Sequence, residues 1–214
     1  MAREIDGMLH NSENQDGIDL RAGCHNIIIS DITGGTGDDI VALTAVAKDV
    51  YRQGGSLCRT EVMHTDWTKR EKDIHDIVIR NVVGYSKGGI CFMVRLLPIN
   101  TKIYNIVIDG IVDASPEGFH QSGIILLGEV DDAYGKNLPE SMSNVTISNV
   151  IARCGRPIVL AGYLSDSVIT NIVNKNPKYP VIWQVREDGM RNVALGAISS
   201  ASGKNVEIKG YLWE

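Results

Sequence analysis

His25-Asn26-Ile27-Ile28-Ile29-Ser30-Asp31-Ile32 is the stretch that decides the fold, because it recurs. Its pattern is a polar pair, then apolar-x-apolar, then polar residues, then a further apolar one. It returns as His75-Asp76-Ile77-Val78-Ile79-Arg80-Asn81-Val82 and as Tyr104-Asn105-Ile106-Val107-Ile108-Asp109-Gly110-Ile111. A fourth copy is Ser143-Asn144-Val145-Thr146-Ile147-Ser148-Asn149-Val150. Asp166-Ser167-Val168-Ile169-Thr170-Asn171-Ile172 and Arg191-Asn192-Val193-Ala194-Leu195-Gly196-Ala197-Ile198 complete the series. The second position of each copy falls at 26, 76, 105, 144, 167 and 192, with gaps of 50, 29, 39, 23 and 25. The two shortest gaps set the period of the repeat. Side chains that alternate with period two belong to a strand with one buried face.

A second short apolar run follows most copies: Ile40 to Leu43, Ile90 to Val94, Ile124 to Leu127, Ile158 to Leu160 and Val181 to Val185. Each unit therefore reads as strand, turn, strand, turn. No stretch of helical period long enough for a βαβ crossover separates the copies. The Leu-x-x-Leu-x-Leu frame of leucine-rich repeats is missing too. Strands repeating at this period without helices must coil as a parallel β-helix. Composition agrees: Ile and Val number 46 of 214 residues against 13 Leu, and Gly adds 22 for turns. β-branched side chains pack well on pleated surfaces and are restricted in helices, so an all-α bundle is excluded.

The coil makes specific demands. Ile27, Ile29 and Ile32 should stack on Ile77, Ile79 and Val82, one strand spacing of about 4.8 Å away. Asn26, Asn105, Asn144 and Asn192 should sit at bends and form side-chain ladders along the stack. The long gaps hold insertions at 46–73, with Leu57 to Met63 as an inner strand, and at 131–143. The chain should form a single all-β domain over 1–214, with roughly seven to eight turns.

The charge balance is mildly acidic, net −5 with a pI near 5.5, which lacks the basic stripe that nucleic-acid phosphates require. No run of 18 or more apolar residues is present for a membrane-spanning helix. Met1-Ala2-Arg3-Glu4-Ile5-Asp6 has no apolar leader core. Compartment is otherwise left open. Cysteines 24, 58, 91 and 154 form no CxxC pair, so no zinc site is expected, and buried reduced thiols are the simplest reading.

The residues that could carry chemistry lie at the start. Asn14-Gln15-Asp16-Gly17 precedes Gly37-Asp38-Asp39, and Asp16 comes one coil before Asp38. Three carboxyls should therefore crowd together on adjacent turns. Crowded carboxyls cannot all ionise cheaply, which keeps one protonated near neutral pH. Asp-Gly and Gly-Asp are also common turn formers, and clustered Asp oxygens suit calcium.

The stretch 14–43 resembles the polygalacturonase-type glycoside hydrolases, family 28, with Asn-x-Asp-Gly followed by Gly-Asp-Asp and an apolar strand. That resemblance implies a right-handed, pectin-lyase-like parallel β-helix and inverting hydrolysis of a polyuronide-like polysaccharide or oligosaccharide, without a cofactor or metal. It makes Asp16, Asp38 and Asp39 the catalytic acids, with Asp38 or its neighbour as proton donor and the others around the water. Asn14 and Arg95 match substrate-side positions. The family's Gly-His-Gly is replaced by Lys87-Gly88-Gly89, and its Arg-x-Lys by Arg95-Leu96-Leu97. His64 or His75 could stand in for the histidine, and Trp67 is the preferred sugar platform ahead of Tyr51, Tyr85 and Trp183. A family member has more coil before the Asn-x-Asp motif than the segment from Met1 to Glu13 can supply. The first turn, around Ile18 and Ile27, should then be an open end, covered in a homo-oligomer. Two other readings use the same residues: a non-catalytic glycan-binding, tail-like or adhesin-like β-helix, and a calcium-dependent β-eliminating lyase.

Overall fold

A computed structural model describes residues 2–5, 8–11, 15–46, 72–87, 91–119, 122–129 and 137–210. The expected inner strand Leu57 to Met63 lies outside them, as does the first part of the 131–143 insertion. Among the described residues the protein is all-β, with no α-helix. The strands are β1 Ala2–Ile5, β2 Met8–Asn11, β3 Ile18–Arg21, β4 His25–Thr36, β5 Val41–Val46, β6 Ile74–Ser86, β7 Phe92–Ile99 and β8 Ile103–Asp113. They continue as β9 Gly123–Leu127, β10 Met142–Ala152, β11 Arg156–Leu160, β12 Leu164–Asn174, β13 Ile182–Gln184, β14 Met190–Leu195, β15 Ile198–Ser200 and β16 Val206–Ile208.

β1 and β2 pair antiparallel. All other pairing is parallel and falls into two sheets. One has the order β3-β5-β7-β9-β11-β13-β16, the other β4-β6-β8-β10-β12-β14, with β15 beside β12. From β3 onward the chain changes sheet at each step, β14 and β15 counting as one. Each strand pairs with the next member of its own sheet, one repeat away.

The expected stacking is observed residue for residue. Ile27 pairs with Ile77, Ile29 with Ile79 and Ile32 with Val82. The columns continue through Ile106, Ile108 and Ile111 of β8, then Val145, Ile147 and Val150 of β10. Facing them are Val41, Val94, Ile125 and Ile158, with Leu43, Leu96, Leu127 and Leu160 beside them. These side chains form the core cluster. β3 and β4 end their sheets, and Ile18, Leu20, Ile27 and Ile32 pack half-buried against that core.

The long strands bend at two fixed points. Asn26, Asp76, Asn105, Asn144, Asp166 and Asn192 all adopt left-handed backbone, with φ from 49° to 57°. Five positions on, Asp31, Asn81, Gly110, Asn149 and Asn171 do so again, at 53° to 71°. Asn and Asp tolerate this region because their side chains hydrogen-bond locally, and Gly110 enters it without a Cβ. The ladders run between rungs: Asn105 Nδ2 donates to Asp76 Oδ1 (2.9 Å), Asn144 Nδ2 to Asn105 Oδ1 (3.2 Å) and Asn192 Nδ2 to Asp166 Oδ1 (2.7 Å). At the second bend, Asn81 Nδ2 donates to Asp31 Oδ1 (2.6 Å).

One repeat boundary is corrected. Ser143 pairs with Ser165 and Thr146 with Val168, so Asp166 rather than Ser167 lies against Asn144. Ser167 occupies an apolar column instead, in register with Val193. It is tolerated there because Ser167 Oγ donates to Ser165 O (2.6 Å) and accepts the Val145 N–H (3.0 Å). A polar residue in the interior column hid the register.

Candidate active site

Asp16 and Gly17 lead into β3, and Asp38 and Asp39 lead into β5. Parallel pairing of Ile18 with Val41 brings the two turns together. This register sets Asp16 against Asp39, one position beyond the Asp38 that the spacing suggested. Gly17 N–H donates to Asp39 O and Ile18 N–H to Ile40 O, both at 2.9 Å. Glycine is required at position 17, since a Cβ there would lie 2.6 Å from Ile40 O. Two side chains fix the second turn from outside: Thr36 Oγ1 (2.5 Å) and Ser86 Oγ (2.9 Å) both donate to Asp38 O.

The expected acidic trio is assembled. Asp39 N–H is shared between Asp16 Oδ1 (3.1 Å) and Asp38 Oδ1 (2.9 Å). Asp16 and Asp38 are half-buried, whereas Asp39 is only 2% exposed. Asp39 Oδ1 accepts the Phe92 N–H (2.7 Å), and its Oδ2 lies 3.7 Å from Arg95 NH1. Burial pushes Asp16 up to about 6, with the Asp38 and Asp19 charges adding to the effect. Burial pushes Asp39 up to about 7, against the pull of Arg95 and the Phe92 N–H. The site therefore combines carboxyls that hold protons near neutrality with a half-buried carboxyl, Asp38, beside them.

Four residues join the site that its local sequence does not point to. Glu129 anchors Arg95, with NH2 to Oε2 at 3.1 Å. Asn137 clamps Glu129 through its backbone, accepting its N–H (2.9 Å) and donating to its carbonyl (2.6 Å). Arg21 pairs with Asp19, whose carboxyl is raised by burial. The fourth is Cys91, buried with its sulfur within 4.8 Å of carboxylate oxygens of Asp38 and Asp39. Its thiol is pushed up to about 12, by burial first and then by Asp38, so it keeps its proton. Asp38, Asp39 and Cys91 are close enough to share a cation, but a protonated thiol offers little to a hard ion that takes oxygen ligands.

Only β-strand register could have revealed Glu129. It follows β9, which neighbours the strand of Arg95 in the sheet, and its local sequence is an ordinary apolar strand end.

The other expected residues scatter. Asn14, His64, Trp67, Tyr51 and Gly88 lie outside the described residues. His75 stacks between His25 and Tyr104, at centroid distances of 5.0 and 4.9 Å, at the start of β6. Ser86, which reaches Asp38, ends that strand, so His75 does not join the carboxyls. Trp183 is no sugar platform: it is 2% exposed, covered by the Arg156 guanidinium 4.4 Å from its ring. Tyr85 is half-buried, edge-on to Phe119 at 5.3 Å. Among the described residues Cys24, Cys91 and Cys154 are free thiols, but only Cys91 is buried; the other two reach the surface in part. No known family model, curated protein or solved structure matches the chain.

Proposed function

We propose that this protein is a glycoside hydrolase built on a right-handed parallel β-helix, with Asp16, Asp38 and Asp39 at the cleavage point. The coil reading is supported by the strict alternation of strands between two parallel sheets, together with the strong preference of parallel crossovers for right-handedness. The single observation that carries the activity is the gathering of three carboxyls on adjacent turns, one with its proton held to about 6 and another to about 7. Inverting hydrolysis needs one carboxylic acid to protonate the leaving oxygen and one carboxylate to activate water.

Access divides the roles. Asp16 and Asp38 reach solvent and act as the acid and the base, Asp16 holding the proton. Asp39, buried behind them, is a positioning residue: its N–H bridges the other two carboxyls and its side chain ties β5 to β7. A non-catalytic glycan-binding protein is the second reading, favoured by the way the Asp39 carboxyl is taken up by Phe92 N–H and Arg95. These are contacts that a purely structural turn would also make.

Incubation with a panel of pectic and other glycans separates the readings. Hydrolysis predicts new reducing ends that disappear in Asp38→Asn and Asp16→Asn, with the rate falling as pH rises through about 6, where the acid loses its proton. An unsaturated, ultraviolet-absorbing product would indicate a lyase. Binding without products, unchanged in both variants, would overturn the enzyme reading.

A further inference from the structure

We infer that the site takes uncharged sugars and discriminates against polyuronides. This deepens the hydrolase reading and rests on it for the location of the sugar. A polyanionic glycan needs cations free to meet its carboxylates. Among the described residues, the two guanidiniums set among these carboxyls are both engaged within the protein.

Arg21 lies against Asp19, whose side chain is 13% exposed. Arg95 is held at 3.1 Å by Glu129, with Asp39 at 3.7 Å on its other side. The Glu129 side chain is 7% exposed and its backbone is clamped on both polar atoms by Asn137. Arg95 cannot swing toward a ligand without leaving a buried carboxylate unpaired, which is strongly unfavourable. Asp16 and Asp38 reach the surface as well, and both are acidic. Lys87, exposed just past the end of β6, adds one positive charge near the rim, and the expected preference is what remains against it.

A uronate carboxylate bound here would face Asp16 and Asp38 with Arg95 already satisfied. Like charges placed together select against a partner by repulsion, even where the sugar backbone fits. An uncharged sugar meets no such penalty and can hydrogen-bond to the same carboxyls.

One polymer tests this with its charge removed by esterification, and the salt dependence isolates the electrostatic part. Polygalacturonan in its fully methyl-esterified and its free-acid forms is offered to the intact protein at about pH 6, where uronates are ionised and Asp16 still carries its proton in part. Neutral galactan, xylan, glucan and rhamnan are offered alongside. Cleavage and binding are both measured. The expected result is a preference of about tenfold or more for uncharged chains, shrinking as salt is raised. Glu129→Gln keeps the backbone clamp and an acceptor for Arg95 while removing the charge that neutralises it, so it should raise the ratio of free-acid to ester binding several-fold, whatever it does to the overall rate.

Equal or better cleavage or binding of the free acid by the wild type overturns the inference and leaves the hydrolase reading standing. Preferential binding of uncharged chains without cleavage overturns the hydrolase and leaves the inference standing. A folded protein that binds none of these chains overturns both.

Discussion

Replacing Asp39 by asparagine tests the electrostatics of the site at its most buried point. The Asp39 carboxyl is 2% exposed and titrates at about 7 instead of the ordinary 3.8. Between these values the folded protein binds a proton that the unfolded chain has lost. Stability from this group is therefore complete below pH 3.8 and declines as pH rises through about 7. Each pH unit in that window is worth about 1.4 kcal/mol, which gives an upper limit of about 4 kcal/mol for the cost of ionising Asp39 in place. Asparagine has the same shape, carries no charge, and keeps an oxygen for the Phe92 N–H. Its amide NH2 faces Arg95 less favourably, which returns part of the gain. Asp39→Asn should stabilise the fold by about 1–3 kcal/mol at pH 8 and by less than about 1 kcal/mol at pH 4.5. Urea denaturation of both proteins at pH 4.5, 6 and 8 gives the difference directly, since every other titrating group is common to both. A variant less stable than wild type at pH 8, or a difference that does not change with pH, would mean that Arg95 fully supports the carboxylate. The burial argument would then be wrong.

Gly17→Ala should separate the two acidic turns, because its Cβ would lie 2.6 Å from the Ile40 carbonyl; activity should fall about 100-fold or more while the fold's circular dichroism stays β. Asn105→Ala should cost about 1–3 kcal/mol, losing both ladder bonds and placing alanine at φ 56°, and Asn105→Gly should recover the backbone share of that loss in denaturant titrations. Ile108→Ala, fully buried in the middle of its column, should cost about 2–5 kcal/mol in the same titrations without moving the pH dependence of any activity.

The scaffold can be read from the sequence because its rule is periodic and local. Ile27 over Ile77 over Ile106 follows from alternation alone, and the pairing reproduces it. The reading slips where a local rule has an exception: Ser167 sits in an apolar column, satisfied by a backbone carbonyl that no pattern records. The acidic trio is legible because Asp16 and Asp38-Asp39 are nearly one repeat apart, and parallel pairing turns that separation into contact. Glu129 and Asn137 are not legible. Their roles depend on the end of β9 returning to Arg95, and the connections between copies vary too much in length for spacing to predict it. Trp183 misleads because an exposed platform and a buried plate have the same local sequence; its neighbours in space, Arg156 on strand β11 with Tyr179 and Lys209, decide between them.

The two columns of left-handed Asn, Asp and Gly have a consequence for how such a chain can change over generations. The first five copies each carry a pair of bend markers, the sixth carries Asn192, and many of the markers bond to that of a neighbouring copy. Alignment is therefore written into every copy and does not depend on the length of what joins them. That is why markers as unevenly spaced as 26, 76, 105 and 144 coexist with continuous columns. A duplication or deletion that begins and ends at equivalent markers, such as 144 and 166, would bring matching markers and matching apolar columns into contact across the new junction. The chain can gain or lose whole copies by recombination while the acidic turns at 15–40 stay as they are, so the length of the molecule and the chemistry of its site can evolve separately.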